Sequence, residues 1–101
     1  LPSQDRAMHE KARADVATLE TALETYRMEN TKYPSNDQGL GALTADRQGA
    51  GGYVRRLPKD PWGNAYQYAY PGEHGRVDVY SFGADGRKGG EGEDADIGNW
   101  S

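Results

Sequence analysis

Residues 12–26 read ARADVATLETALETY, and their spacing decides what the chain is built around. Ala12, Val16, Leu19, Leu23 and Tyr26 recur at steps of four, three, four and three. Residues so spaced share one face of an α-helix, which makes this stretch amphipathic with a single stripe to bury. Toward the N-terminus nothing from Gln4 onward breaks the pattern, and Ser3 offers an N-cap, so the helix is expected from Ser3 to Glu29. Arg6, Glu10, Arg13, Glu20, Glu24 and Arg27 fall mainly off the stripe. Before Ala12 the stripe fades to Ala7 and Met8, so the first two or three turns are expected to project beyond the domain.

In the other direction, Asn30 to Pro34 ends the helix. Ser35-Asn36-Asp37 offers caps for a short second helix through Leu40 and Leu43 that ends near Asp46. Gln48 to Gly52 is a glycine-rich loop, and Leu57 to Asn64, with two prolines and a Gly-Asn pair, reads as an ordered turn. Ala65 to Tyr70 alternates, which places Tyr66, Tyr68 and Tyr70 on one face of a strand. Arg76 to Phe82 alternates again, with residues 71–75 as the hairpin connection. A long helix laid across a small antiparallel sheet buries both apolar faces, so the fold class is α+β.

At 101 residues the chain is one domain with a thin core; apolar residues make up 35% and seven tyrosines supply much of the large apolar surface. A net charge of −4, with no Lys/Arg cluster beyond Arg55-Arg56, argues against a nucleic-acid partner. The absence of cysteine excludes disulfides and thiolate metal sites. No segment is apolar enough to span a bilayer and no signal peptide is visible. The opening at Leu1-Pro2 is either a natural start or the point at which a preceding segment was removed. Enzyme chemistry is not expected. His9 and His74 lie on the helix start and a turn tip without an acidic partner at motif spacing, and both are expected at the solvated surface. Glycines 86 to 92 precede no helix, and their neighbouring carboxylates would repel phosphate.

Those carboxylates belong to the second informative stretch, residues 82–100, FGADGRKGGEGEDADIGNW. Asp85, Glu91, Glu93, Asp94 and Asp96 face only Arg87 and Lys88, and six glycines separate them. Turns that gather these carboxylates would make them repel unless a cation joined them. Hard oxygen donors with no imidazole or thiolate among them suit Ca²⁺. An EF-hand register beginning at Asp85 fails, because Arg87 and Gly89 fall at ligand positions and no helix follows Asp96. The β-helix calcium repeat matches residues 89–94 only once, whereas it works in tandem. A solvated acidic tail has the same composition, but Ile97 and Trp100 give this end something apolar to bury. A small domain without disulfides also gains from a metal staple.

A family resemblance covers nearly the whole chain. It is carried by Leu57-Pro58-x-Asp60-Pro61-Trp62-Gly63-Asn64-x-Tyr66-x-Tyr68, then Pro71-Gly72-x-His74-Gly75, then Asp78-x-Tyr80-Ser81-x-Gly83-x-Asp85-Gly86, and the closing Ala95-Asp96-Ile97-Gly98-Asn99-Trp100. Upstream, Tyr33-Pro34-Ser35, Gln38-Gly39-Leu40 and Ala42-Leu43 fit as well. The chain resembles the major pseudopilins of bacterial type II secretion. The resemblance implies a pilin-like fold of one periplasmic domain: helix over 1–30, helix-to-sheet connection over 31–64, β-hairpin over 65–82, and a calcium loop with the C-terminus over 83–101. It implies a subunit of the pseudopilus, a filament that helps export folded proteins across the outer membrane. Its partners would be copies of itself, minor pseudopilins, inner-membrane secretion components and exported proteins, with no nucleic acid. Membrane contact would come only through an apolar N-terminal helix that these residues lack. The resemblance also implies Ca²⁺ in the last loop, with Asp85 and Asp96 as first ligands and Asp94 next. Carbonyl oxygens of Phe82 and Arg87 would complete the set, with Ser81 a weaker candidate, and Glu91 and Glu93 would face solvent. The other reading is a pilin-like adhesion or substrate-binding module using the tyrosine face or Arg55-Arg56.

Overall fold

The structure, a computed structural model, describes residues 3–45 and 49–101, except the side chain of Glu93. Helix α1 spans Ser3–Asn30, with Asp5 in its first turn and Arg27 in its last, each complementing the helix dipole. Ala12, Val16, Leu19 and Leu23 are buried as their spacing predicts, and Tyr26 packs against them. Three antiparallel strands follow in the order β1 (Gln67–Ala69), β2 (Asp78–Ser81) and β3 (Ile97–Gly98). The helix lies mainly over β2 and β3, and the core between them adds Leu43, Val77, Val79 and Ile97. Each such side chain contributes about 1.5–3 kcal/mol by leaving water. The pilin-like α+β arrangement is thus present, with a third strand that the sequence pattern does not reveal. Among the described residues, no helix is long and apolar enough to cross a membrane.

The tyrosine face turns inward. Tyr66 is buried and Tyr68 and Tyr70 pack on the core. Their hydroxyls need partners there, and Tyr66 donates to Asp15 at 2.6 Å while Tyr68 donates to the Pro34 carbonyl at 2.7 Å. Burial, reinforced for Tyr66 by Asp15, holds both phenols well above their usual range, so they remain donors. The expected strands are shorter than their alternating stretches, and the reason at Tyr70 is local. Asn36 accepts the Tyr70 N–H at 2.9 Å and donates to its carbonyl at 2.7 Å, which ends the ladder. The connection to β2 begins with a cis Tyr70–Pro71 bond.

The second helix is a 3₁₀ segment, Gly39–Thr44, and the expected end at Asp46 lies outside the described residues. Ser35 and Gln38 form a reciprocal pair before it: Gln38 N donates to the Ser35 hydroxyl at 3.2 Å, and Ser35 N to the Gln38 side chain at 3.0 Å.

His9 departs from expectation by being buried, whereas His74 is exposed as expected but has an acidic partner. His9 is only 7% exposed and meets Trp62 edge-on, with centroids 5.4 Å apart. The Leu57–Asn64 turn folds back over the start of α1, so the buried stripe runs one turn further than the apolar pattern indicates. His74 stacks on Trp100 at 3.8 Å, and its Nδ1 lies 3.0 Å from the Asp78 carboxylate. A loop, not a helix, brings that partner into reach. Asp78 is 3% exposed and also accepts the Glu73 N–H at 2.8 Å and the His74 N–H at 3.2 Å. Gly72 is required beside it, because a Cβ there would overlap the Asp78 carboxylate.

Two predictions follow from local geometry. Thr31, just past α1, has φ 69°, a left-handed conformation that a β-branched residue tolerates poorly. Thr31→Gly removes about 1–2 kcal/mol of strain, partly offset by unfolded-state entropy, so a net gain of about 0.5–1 kcal/mol is expected in urea unfolding. An unchanged or lowered midpoint contradicts the strain. Burial alone would raise the Asp78 carboxyl, but hydrogen bonds from His74 and two backbone amides outweigh it and hold the group below its usual range. Its stabilisation is therefore full above the unfolded value of about 3.9 and is lost as pH falls through the lower folded value. Asp78→Asn should cost about 1–3 kcal/mol at neutral pH, with a flatter acid limb in an unfolding series. Parallel acid limbs in the two proteins would exclude Asp78 as the group that titrates.

Candidate functional site

The acidic loop begins on a buried polar link. Asp60, in the Leu57–Asn64 turn, is buried; its Oδ1 accepts the Trp62 and Asn64 amides at 3.0 and 2.8 Å. Its Oδ2 accepts the Ser81 hydroxyl at 2.8 Å, and that hydroxyl in turn accepts the Gly83 N–H at 3.1 Å. Two segments that are separate in sequence are thereby joined where β2 ends. Gly83 then turns the chain with φ 84°, and a Cβ at this position would lie 2.6 Å from the Ala95 carbonyl oxygen. The outgoing and returning limbs of the loop touch here, which only glycine permits.

Within the loop, Asp85 is exposed and accepts the Arg87 N–H at 3.0 Å, a local Asx turn. Asp96 is half-buried and accepts the Gly89 N–H at 3.0 Å, a link across the loop. A 3₁₀ turn, Gly92–Asp94, brings the chain back, and Asp96 leads directly into β3. Asp94 is half-buried, with its backbone carbonyl against Gly90. Phe82 is half-buried, its ring edge-on to Tyr80 at 5.4 Å, while Arg87 and Glu91 are exposed. The expectation for Glu93 concerns a side chain outside the described set. A cavity of about 260 Å³ beside the loop is lined by Asp96, Phe82, Tyr80, Trp100 and Lys88 among others.

Among the described residues, no three His, Cys, Asp or Glu side chains converge as a metal cluster. A site here would therefore combine carboxylates with backbone carbonyls, a mixture Ca²⁺ accepts. Asp85 and Asp96 each spend one oxygen on an amide, and neither forms an ion pair among the described residues. The Ser81 hydroxyl donates to Asp60 and accepts from Gly83, and it is fully buried, which makes its carbonyl the better placed oxygen for an ion. In oxygen content and unneutralised charge the residues fit calcium.

Sequence reasoning missed two residues that hold this end of the molecule. Asp60 was legible only as part of an ordered turn. Asn99 was part of a motif without a role; its side chain accepts the Val79 N–H at 3.1 Å and donates to Glu20 at 2.8 Å and to the Val77 carbonyl at 3.0 Å. It ties the chain end to both α1 and β2.

The family model described as type II secretion system (T2SS), protein G, matches residues 1–100. A type II secretion system core protein G from Vibrio cholerae serotype O1 is 49% identical over 108 aligned positions, spanning 100% of this chain and 74% of that protein. The Pseudomonas aeruginosa protein of the same name is 46% identical, over 95% of this chain and 73% of its own. Among solved structures, the major pseudopilin from the type 2 secretion system of enterohaemorrhagic Escherichia coli superposes with a TM-score of 0.79 at 41% identity. That match covers 96% of this chain and 90% of the other. The chain belongs to the type II secretion protein G family, the major pseudopilins, whose members are structural subunits and not enzymes.

Proposed function

We infer that this chain is a structural subunit of a periplasmic pseudopilus that helps export folded proteins across the outer membrane, with Ca²⁺ stabilising its last loop. The family match along residues 1–100 supports the first part, and the unneutralised acidic loop supports the second. Its neighbours in the filament are further copies of itself, with minor pseudopilins and inner-membrane secretion components at the assembly site and exported proteins as cargo. Asp85 and Asp96 hold the ion, Asp94 is the next candidate, and carbonyl oxygens of Phe82, Arg87 and Ser81 complete the set. The ion supplies charge neutralisation; the protein supplies a loop already closed at Gly83 and pinned through Ser81 to Asp60.

A cation that binds only the folded chain stabilises it by about 2.7 kcal/mol at about 100 times its dissociation constant. For a domain of this size that is a melting shift of roughly 10–20 °C between calcium and chelator. Asp85→Ala and Asp96→Ala should each abolish most of the shift and Glu91→Ala should keep it, since an exposed neighbour gives only screened attraction. Superimposable melting curves in calcium and chelator would remove the metal from this account, and Glu91→Ala as damaging as Asp96→Ala would redraw the ligand set.

The filament role has its own test. Arg6, Glu10 and Arg13 are exposed on the first turns of α1, where they are free to meet a neighbouring subunit. One exposed ion pair is worth only about 0–1 kcal/mol, but a filament repeats it at every subunit. Glu10→Lys in the full-length protein is expected to reduce fibre formation and secretion while moving domain stability by less than about 0.5 kcal/mol. Normal fibre yield would place Glu10 outside the interface.

A further inference from the structure

We propose that the protein carries a binding pocket for a phosphomonoester at the C-terminal end of α1, formed by Arg27, Lys32 and Arg76 with Tyr33 and Tyr70 as its walls. The cavity has a volume of about 380 Å³. Its three cations come from three places: the last turn of α1, the segment after it, and the approach to β2. The sequence contains no such cluster; the fold makes it, on a chain whose net charge is −4.

The nearest opposing charge is accounted for. Glu24 accepts Arg27 Nε at 3.2 Å and the Tyr33 hydroxyl, so it is already engaged on both oxygens and offsets one cation at most. Lys32 and Arg76 form no ion pair among the described residues. The carbonyl end of α1 disfavours an anion, and Arg27, in the last turn of that helix, offsets its negative pole. Glu24 also attracts Arg76, but one carboxylate against three cations still leaves an anion a net attraction.

Shape narrows the class. A tetrahedral oxyanion presents oxygens toward donors on several sides, whereas a carboxylate presents one planar edge, and guanidinium forks match phosphate well. The cavity exceeds a bare oxyanion. Tyr33 and Tyr70, edge to face at 5.5 Å, provide an apolar wall for a small organic group. Thr31 lines the same cavity in its left-handed conformation, and strain of this kind concentrates at ligand clamps. The phosphate comes either from a soluble ester or from a lipid headgroup.

Glycerol 1-phosphate titrated into the isotope-labelled protein, at neutral pH, low salt and fixed free calcium, distinguishes the pocket from diffuse attraction. Saturable amide shifts are expected at Thr31, Lys32, Tyr70 and Arg76. Arg76→Gln should weaken binding about tenfold, as loss of one charge-assisted contact. Arg55→Gln, an exposed arginine outside the cavity, should leave it unchanged. Co-sedimentation with phosphatidic-acid vesicles that Arg76→Gln abolishes identifies a lipid source; ester binding without sedimentation identifies a soluble one. No saturable shift at millimolar ester, or equal effects of Arg76→Gln and Arg55→Gln, would overturn the proposal.

Discussion

A buried aspartate joins the parts of this fold that the helix and sheet alone would leave separate. The Asp60 carboxylate satisfies two amides of its own turn and the hydroxyl of Ser81, and Ser81 in turn holds the Gly83 amide. Each hydrogen bond to a charged group is worth about 1.5–3 kcal/mol, and a buried donor left without its acceptor costs about 1–3 kcal/mol. The same turn brings Trp62 over His9, so the link also settles how the start of α1 is covered. Asn99 performs the matching task at the other limb by binding β2 and Glu20 together. The acidic loop is thus held at both ends by buried or half-buried polar groups rather than by apolar packing within it.

That arrangement explains why a loop of glycines and carboxylates can belong to an ordered domain. Among the described residues its interior contacts are the Asx turn at Asp85, the amide bond from Gly89 to Asp96, three backbone turn bonds, and close backbone crossings at Gly83 and Gly90. None of these neutralises charge. The exposed Lys88–Glu73 pair, at 4.0 Å, uses a loop cation on a residue outside the loop and contributes little. The proposed calcium supplies the missing neutralisation, and in a filament subunit it would couple folding to an ion outside the cytoplasm. The basic cavity past α1 lies on a different part of the molecule, lined by none of these acidic residues.

Much of the architecture was legible because periodicity reports burial. The helix stripe and the tyrosine alternation both predict faces that the structure buries. Three features were not legible, and each depends on contacts distant in sequence. His9 interrupts an apolar pattern, yet Trp62 from a far turn buries it. Strand β3 has two residues, too few for alternation to register, and is defined by pairing with β2. His74 is exposed as expected, but its partners, Asp78 and Trp100, were not legible because a loop and the chain end bring them. For the candidate metal loop, residue types indicated the donor chemistry, but spacing could not say that Ser81 would spend its hydroxyl on Asp60.

The proposed closure of the loop by an ion is tested most directly with a luminescent substitute for calcium. Terbium takes similar oxygen ligands and emits when a nearby indole or phenol absorbs ultraviolet light. Tyr80 and Trp100 line the same cavity as Asp96. Chelator-stripped protein should therefore show sensitised terbium emission that saturates, that calcium displaces, and that Asp96→Ala abolishes while Glu91→Ala preserves. Absent emission, or emission that calcium fails to displace and Asp96→Ala fails to change, would contradict a calcium-closed loop.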